Sequence, residues 1–168
     1  IFDNVKNNGD PAVLEYTSKL DGVNLFTSIM DTKNIDLDGI VISNDLKMAI
    51  HVAFSNIEKF HLAQRSADIE LETMPGIRCS QRSVAIRNVG IYVPGGSAPL
   101  FSTVLMLAIP ARIAGCEKIV LCTPPDKDGK IHPAILYTAL LCGISEIRLV
   151  GGAQAIAAMT FGTDEIPV

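Results

Sequence analysis

Two short runs hold the residue types from which a ligand site could be built: Tyr92-Val93-Pro94-Gly95-Gly96 and Gly151-Gly152-Ala153-Gln154. Each glycine pair closes an apolar run and opens a helical stretch. A backbone without Cβ can take positive φ and lie close against a ligand, and the first turn of a helix presents free N–H groups to an anion. Tyr92 would add a ring face and a phenol at that rim. Gln154 would add an uncharged amide able to bond a sugar hydroxyl or a phosphate. The same residues also have plain uses, the glycines as strand-to-helix turns and the amide as a helix cap or surface group. From the residues alone the plain strand-to-helix turn is the favoured reading of the Tyr92–Gly96 run, while for Gln154 both readings stand.

Two glycine pairs on one rim favour phosphate or dinucleotide binding over a single turn, yet the usual dinucleotide fingerprint is missing. Gly95-Gly96 is followed by Ser97-Ala98-Pro99 rather than by GxGxxG spacing, and Cys122-Thr123 stands where an acid would hold a ribose. His51, His61 and His132 are scattered, with no HExxH and no clustered acids, so no complete metal site is visible. His61 and Gln64 are one helical turn apart and could share a site, but a packed histidine on a partly apolar face is the favoured reading. Cys122, Cys116 and Cys142 read as small buried residues. Cys79 is the most plausible reactive thiol by position, without an evident neighbouring base. Asp126–Lys130 reads as a solvated loop.

These residues are positioned by a regular second half. Val89–Val93, Lys118–Cys122 and Glu146–Val150 are apolar runs at nearly constant spacing. Between them lie helical stretches Leu100–Ala114 and Pro133–Cys142, each followed by glycine (Gly115, Gly143) as a helix C-terminus prefers. A third helix runs from Gly151-Gly152 to about Phe161. The pattern β-α-β-α-β-α over 89–168 predicts an α/β fold, a parallel sheet with helices on both faces. The ends Pro94-Gly95-Gly96, Thr123-Pro124-Pro125 and Gly151-Gly152-Ala153-Gln154 then share one rim. Residues 1–88 read as a helix-rich part. Asp10-Pro11 starts a helix through Val13, Leu14, Thr17 and Leu20 that stops near Gly22. An extended passage ends at Ile40-Val41-Ile42. Ser43 then caps a long helix striped by Leu46, Ile50, Ala53, Ile57 and His61, with Phe54 and Phe60 beside them. After Pro75-Gly76, Ile77–Ile86 reads as extended.

Composition bounds the function. A chain of 168 residues buries roughly 70% of its unfolded surface, and 48% hydrophobic against 19% charged residues make it globular. A net charge of −4 without a basic run argues against a nucleic-acid surface. Pro110 and Arg112 interrupt the best apolar stretch, which argues against a membrane span. Four cysteines without CxxC pairing in a chain lacking secretory features suggest a reducing cytoplasm. The start at Ile1, with a helix under way, suggests a piece of a longer chain.

The motifs resemble those of one family. Val-Gly-Ile-Tyr-Val-Pro-Gly-Gly at 89–96, Ser102–Met106, Pro110–Cys116 and the Gly-Gly-Ala-Gln-Ala-Ile-Ala-Ala run at 151–158 are similar to histidinol dehydrogenase. So, in order, are Gly9-Asp10, Asn56-Ile57, Phe60-His61-x-x-Gln64 and Pro75-Gly76, and the resemblance covers essentially the whole chain. It implies a zinc- and NAD-dependent oxidation of L-histidinol to L-histidine through the aldehyde, with one hydride passed to each of two NAD⁺ molecules. It also implies incomplete Rossmann-like lobes in a homodimer, with 1–88 from the first lobe and 89–168 most of the second. The family's tyrosine and glutamine contacts to NAD match Tyr92 and Gln154; Pro94, Gly95 and Gly96 complete the expected cofactor-binding set.

The resemblance also says what is missing. The family's zinc ligands and its acid–base Glu-His pair match nothing here and are expected beyond Val168, so no catalytic or metal-binding residue is assigned and the chain alone is expected to be inactive. Two other readings compete: a related enzyme acting on another small polar alcohol, and a non-catalytic nucleotide-binding module.

Overall fold

The computed structural model describes residues 1–96 and 98–167. Helices α1 (Phe2–Asn8) and α2 (Asp10–Tyr16) come first, and a π-helical turn, Thr17–Asp21, follows α2 directly. A two-residue strand β1 (Ile29–Met30), the long helix α3 (Asn44–Ala63) and a hairpin of β2 (Ile69–Met74) and β3 (Ile77–Gln81) complete the first half. Strands β4 (Asn88–Tyr92), β5 (Lys118–Thr123) and β6 (Glu146–Leu149) then alternate with helices α4 (Phe101–Ala114), α5 (Pro133–Leu141) and α6 (Gly152–Phe161).

The alternation read from the sequence is the one that forms. β4 and β6 each pair with β5 in parallel. Gly115 and Gly143, with φ of 90° and 78°, occupy the turns that end α4 and α5, where a side chain would strain the left-handed backbone. The expectation of a wholly parallel sheet needs correcting. β1 adds to the free edge of β6 in antiparallel register, Ile29 opposite Arg148 and Met30 opposite Ile147, so the sheet is mixed, in the order β1-β6-β5-β4. Two residues are too short to leave a period-2 signal, so this strand was unreadable.

The sheet is covered on both faces. From β5, Leu121 points into a core with Ile91, Val93, Ile147 and Leu149 under α3, α4 and α5. Its neighbours Val120 and Cys122 point the other way, with Val150, toward Val5 and Val13 of α1 and α2 and Ala155 and Ala158 of α6. A strand buried on both sides must be apolar at consecutive positions, which accounts for Val120-Leu121-Cys122. Residues 1–88 thus contribute β1, α1, α2 and α3 to the same sheet and its two layers.

That half is also less uniformly helical than its composition suggests. Ser43 Oγ accepts the Leu46 N–H at 3.2 Å and caps α3 as expected, and Ile50 is fully buried, but Phe60 lies 62% exposed. Ile40–Ile42 pairs with no strand among the described residues. Strand β2 is an addition to the expected elements: Ile69-Glu70-Leu71-Glu72 alternates as a strand should, and pairs Ile69 with Gln81 and Leu71 with Cys79. The π-turn winds more residues per turn than an α-helix and carries Leu20 out to 60% exposure.

Candidate functional site

The ends of β4, β5 and β6 meet around one proline. A Cβ built on Gly95 would stand 2.7 Å from Pro124 Cγ, and one built on Gly151 would stand 2.6 Å from Pro124 Cβ. Real Cβ contacts are not this short, so the ring of Pro124 is wedged between the two glycine runs. Hence the close approach at Gly95 is to the protein itself. Gly95 and Gly96 do not adopt the left-handed conformation; of the rim glycines only Gly152 does, with φ of 62°. Gly96 has open space where its side chain would be.

Tyr92 and Gly152 close the rim on the α6 side, where the Gly152 N–H donates to the Tyr92 hydroxyl at 3.0 Å. The phenol keeps its own proton and a lone pair for a further partner. Gln154 is placed differently from a residue open to ligand. It is fully buried, its Nε2 donates to Asp21 Oδ2 at 3.4 Å, and its Oε1 has no hydrogen-bond partner. The amide curls back over its own helix start, so that a Cβ at Gly152 would lie 2.7 Å from Oε1. A buried amide oxygen without a donor costs about 1–3 kcal/mol. Burial of the Asp21 carboxyl raises its pKa.

Pro94, Gly95 and Gly96 face the opposite side of the wedge, lining a cavity of about 210 Å³ with Thr123, Pro124 and Ile135. The five residues expected to bind cofactor therefore fall into two groups on either side of Pro124: Tyr92 and Gln154 at α6, and Pro94–Gly96 toward α5. Pro124 is the organising residue that sequence reasoning passed over. Its only sequence signal is its place at the end of β5, the second of the three strand ends, since a proline ring offers no polar chemistry.

The remaining candidates take structural places. His51 Nε2 and Tyr137 Oη lie 3.0 Å apart and join α3 to α5. His132 Nδ1 accepts the Ala134 N–H and caps α5. His61 Nδ1 and Gln64 Oε1 lie 2.6 Å apart at the end of α3, on the wall of an open groove shared with Ile86 and Pro110. Burial pushes the Cys122 thiol up to about 12 and the Cys142 thiol to about 11, whereas Cys79 is exposed on β3. Among the described residues no three His, Cys, Asp or Glu side chains converge to hold a metal ion. None of the described helices is long and apolar enough to cross a membrane.

A second polar cluster, without a local sequence signal, ties Glu165 to the β1 and β6 edge of the sheet. Glu165 accepts from the Ser28 N–H at 2.7 Å, from Ser28 Oγ at 2.6 Å and from Thr27 Oγ1 at 2.7 Å. Arg148 donates Nε to the Glu165 carbonyl and Nη2 to Glu146 at 2.7 Å. Burial opposes ionisation of Glu165, but these hydrogen bonds and the Arg148 charge outweigh it and hold the carboxyl below its ordinary value.

Comparison with known proteins gives one consistent result. A family model described as histidinol dehydrogenase matches residues 1–168. The chain is 54% identical over 167 residues to a histidinol dehydrogenase of Bacteroides thetaiotaomicron, covering 99% of this chain and 39% of that one. A Salmonella typhimurium histidinol dehydrogenase is 52% identical over 167 residues, with 99% and 38% covered. A crystal structure of histidinol dehydrogenase from Elizabethkingia anophelis superposes with a TM-score of 0.91 at 50% identity, over 98% of this chain and 38% of that chain. The chain thus spans about two fifths of the length of these relatives.

Proposed function

The chain belongs to the histidinol dehydrogenase family, and on that premise we propose that it forms an NAD-binding rim of an enzyme that oxidises L-histidinol to L-histidine through the aldehyde. The observation that carries this reading is the Tyr92 hydroxyl seated on the Gly152 N–H at the start of α6. This contact joins two glycine-rich runs at the C-terminal ends of parallel strands, where α/β folds bind ligands.

NAD⁺ bound at the rim supplies the hydride acceptor. Tyr92 offers its remaining hydroxyl proton to an acceptor on the cofactor, and Gly96 leaves backbone open for close approach. Gln154 supports the reading through its unpartnered Oε1. Its amide reaches the rim only when it leaves Asp21, so contact through Gln154 involves a rearrangement there. Pro94, Gly95 and Gly96 form the wall on the far side of Pro124.

Zinc does not fit the described residues, which bring no ligand cluster together, and no step is derived through it. Family membership supports a homodimeric, cytoplasmic enzyme. Exposed apolar side chains such as Val84 at 85% and Ile86 at 72% support cover by further protein. The 168-residue chain is expected to bind NAD⁺ without turning over L-histidinol.

An NAD⁺ titration of the isotope-labelled chain tests the reading. Saturable amide shifts at Tyr92, Gly96, Gly152 and Gln154 are expected. A dispersed spectrum that ignores NAD⁺ would remove the cofactor rim from this chain, and NADH formed from L-histidinol would overturn the expected inactivity.

A further inference from the structure

Both glycine runs of the rim are shaped around Pro124, although nothing in its chemistry marks it as a ligand contact. The contacts are unequal in a useful way. At Gly95 the short distance is to the ring atom Cγ, with Cβ at 3.8 Å and Cδ at 3.9 Å. At Gly151 it is to Cβ at 2.6 Å, with Cγ at 3.2 Å and Cα at 3.3 Å. Pro124 therefore presents the far edge of its ring to the β4 turn and the root of its side chain to the β6 turn. The ring is rigid and carries a fixed φ, so it sets the gap between the two runs as a spacer would.

We propose that Pro124 is a positioning residue for the cofactor. Its ring holds the Pro94–Gly96 turn and the Gly151–Gly152 turn at a fixed separation, on which NAD⁺ binding at the rim would depend, and it divides the small cavity from the Tyr92–Gly152 contact. The cofactor part rests on the function proposed above. The wedge itself rests only on the geometry, so the two can fail separately. In this reading Gly95 and Gly151 lack side chains to admit Pro124, and of the four rim glycines Gly96 alone has open space where a Cβ would stand.

The test is a set of double-mutant cycles in the full 168-residue chain, read by thermal unfolding and by NAD⁺ titration. Gly95→Ala alone is expected to lower Tm by about 2–4 °C or more, from overpacking against the ring. In a Pro124→Ala background the ring is gone, and the same substitution is expected to cost less than about 1 °C. Gly151→Ala should stay costly beside Pro124→Ala, because alanine keeps the offending Cβ. It should be relieved only by Pro124→Gly. Additive effects for Gly95→Ala and Pro124→Ala would overturn the wedge.

Positioning is read separately. Pro124→Ala, while still folded, is expected to weaken NAD⁺ binding at least about fivefold, ~1 kcal/mol, with altered amide shifts at both Gly96 and Gly152. Unchanged NAD⁺ affinity despite strong coupling would make Pro124 merely structural and overturn the positioning role. No NAD⁺ response in the unsubstituted chain would remove the cofactor part together with the proposed function, and leave the wedge to the stability cycle alone.

Discussion

The Gly152 amide and the Tyr92 hydroxyl, 60 residues apart in the chain, are joined by a 3.0 Å hydrogen bond in which the backbone donates and the phenol accepts. Tyr92→Phe leaves the ring in place and strips this N–H of its acceptor. The site is partly open, so water takes over, and a stability loss of roughly 0.5–1.5 kcal/mol is expected. The Gly152 amide resonance should move more than those of residues in the core. An unmoved Gly152 resonance would mean the bond is absent in solution.

Gln154→Met should separate stability from binding. It removes a buried, unpartnered amide oxygen and with it the Nε2 donor to Asp21, which water can replace at that half-buried carboxylate, so the net change is expected to be neutral or stabilising. Tm is expected to hold or rise by up to ~4 °C, while the NAD⁺-induced shift at Gly152 shrinks. A large fall in Tm would show that the Oε1 is satisfied by a partner such as buried water.

Glu165 should make the chain acid-sensitive. Its carboxyl is held below its ordinary value in the fold, so its contribution is complete above the unfolded carboxyl's pKa and disappears as pH falls through the depressed folded value. Asp21 acts in the opposite sense: its folded pKa is raised, so its burden sets in as pH rises from the unfolded value toward the folded one. Glu165→Gln is expected to cost roughly 1–2 kcal/mol at pH 7, and the gap in Tm from the parent chain should close on acidification. A gap that stays constant to the lowest pH at which both fold would rule out ionisation of Glu165 as the source.

Thiol labelling should follow burial. Cys79 is exposed, while Cys122 and Cys142 are fully buried and their pKa values are pushed to about 12 and about 11. At pH 8 iodoacetamide should modify Cys79 on the native chain and reach Cys122 and Cys142 only after unfolding, as peptide mass mapping would reveal. Early labelling of Cys122 would mean that the layer of α1, α2 and α6 opens readily.

The order of strands and helices from residue 88 to 161 was legible because its signals are local. Apolar runs buried on two faces, glycine after each helix and proline at helix starts each reflect the energetics of a few adjacent residues. The same locality made Ser43 readable as the cap of α3 and put Tyr92 and Gln154 on one rim. The motifs carried family membership as well, since side-chain identity at fixed spacing is what relatives share. Tertiary structure decided what depends on distance in space. It placed β1 antiparallel on β6, turned the Gln154 amide inward to Asp21, and joined Glu165 to Ser28 across the chain. It also set Pro124 between Gly95 and Gly151. Those contacts join residues far apart in the chain, and nothing in a proline's own neighbourhood says that two distant turns will close on its ring.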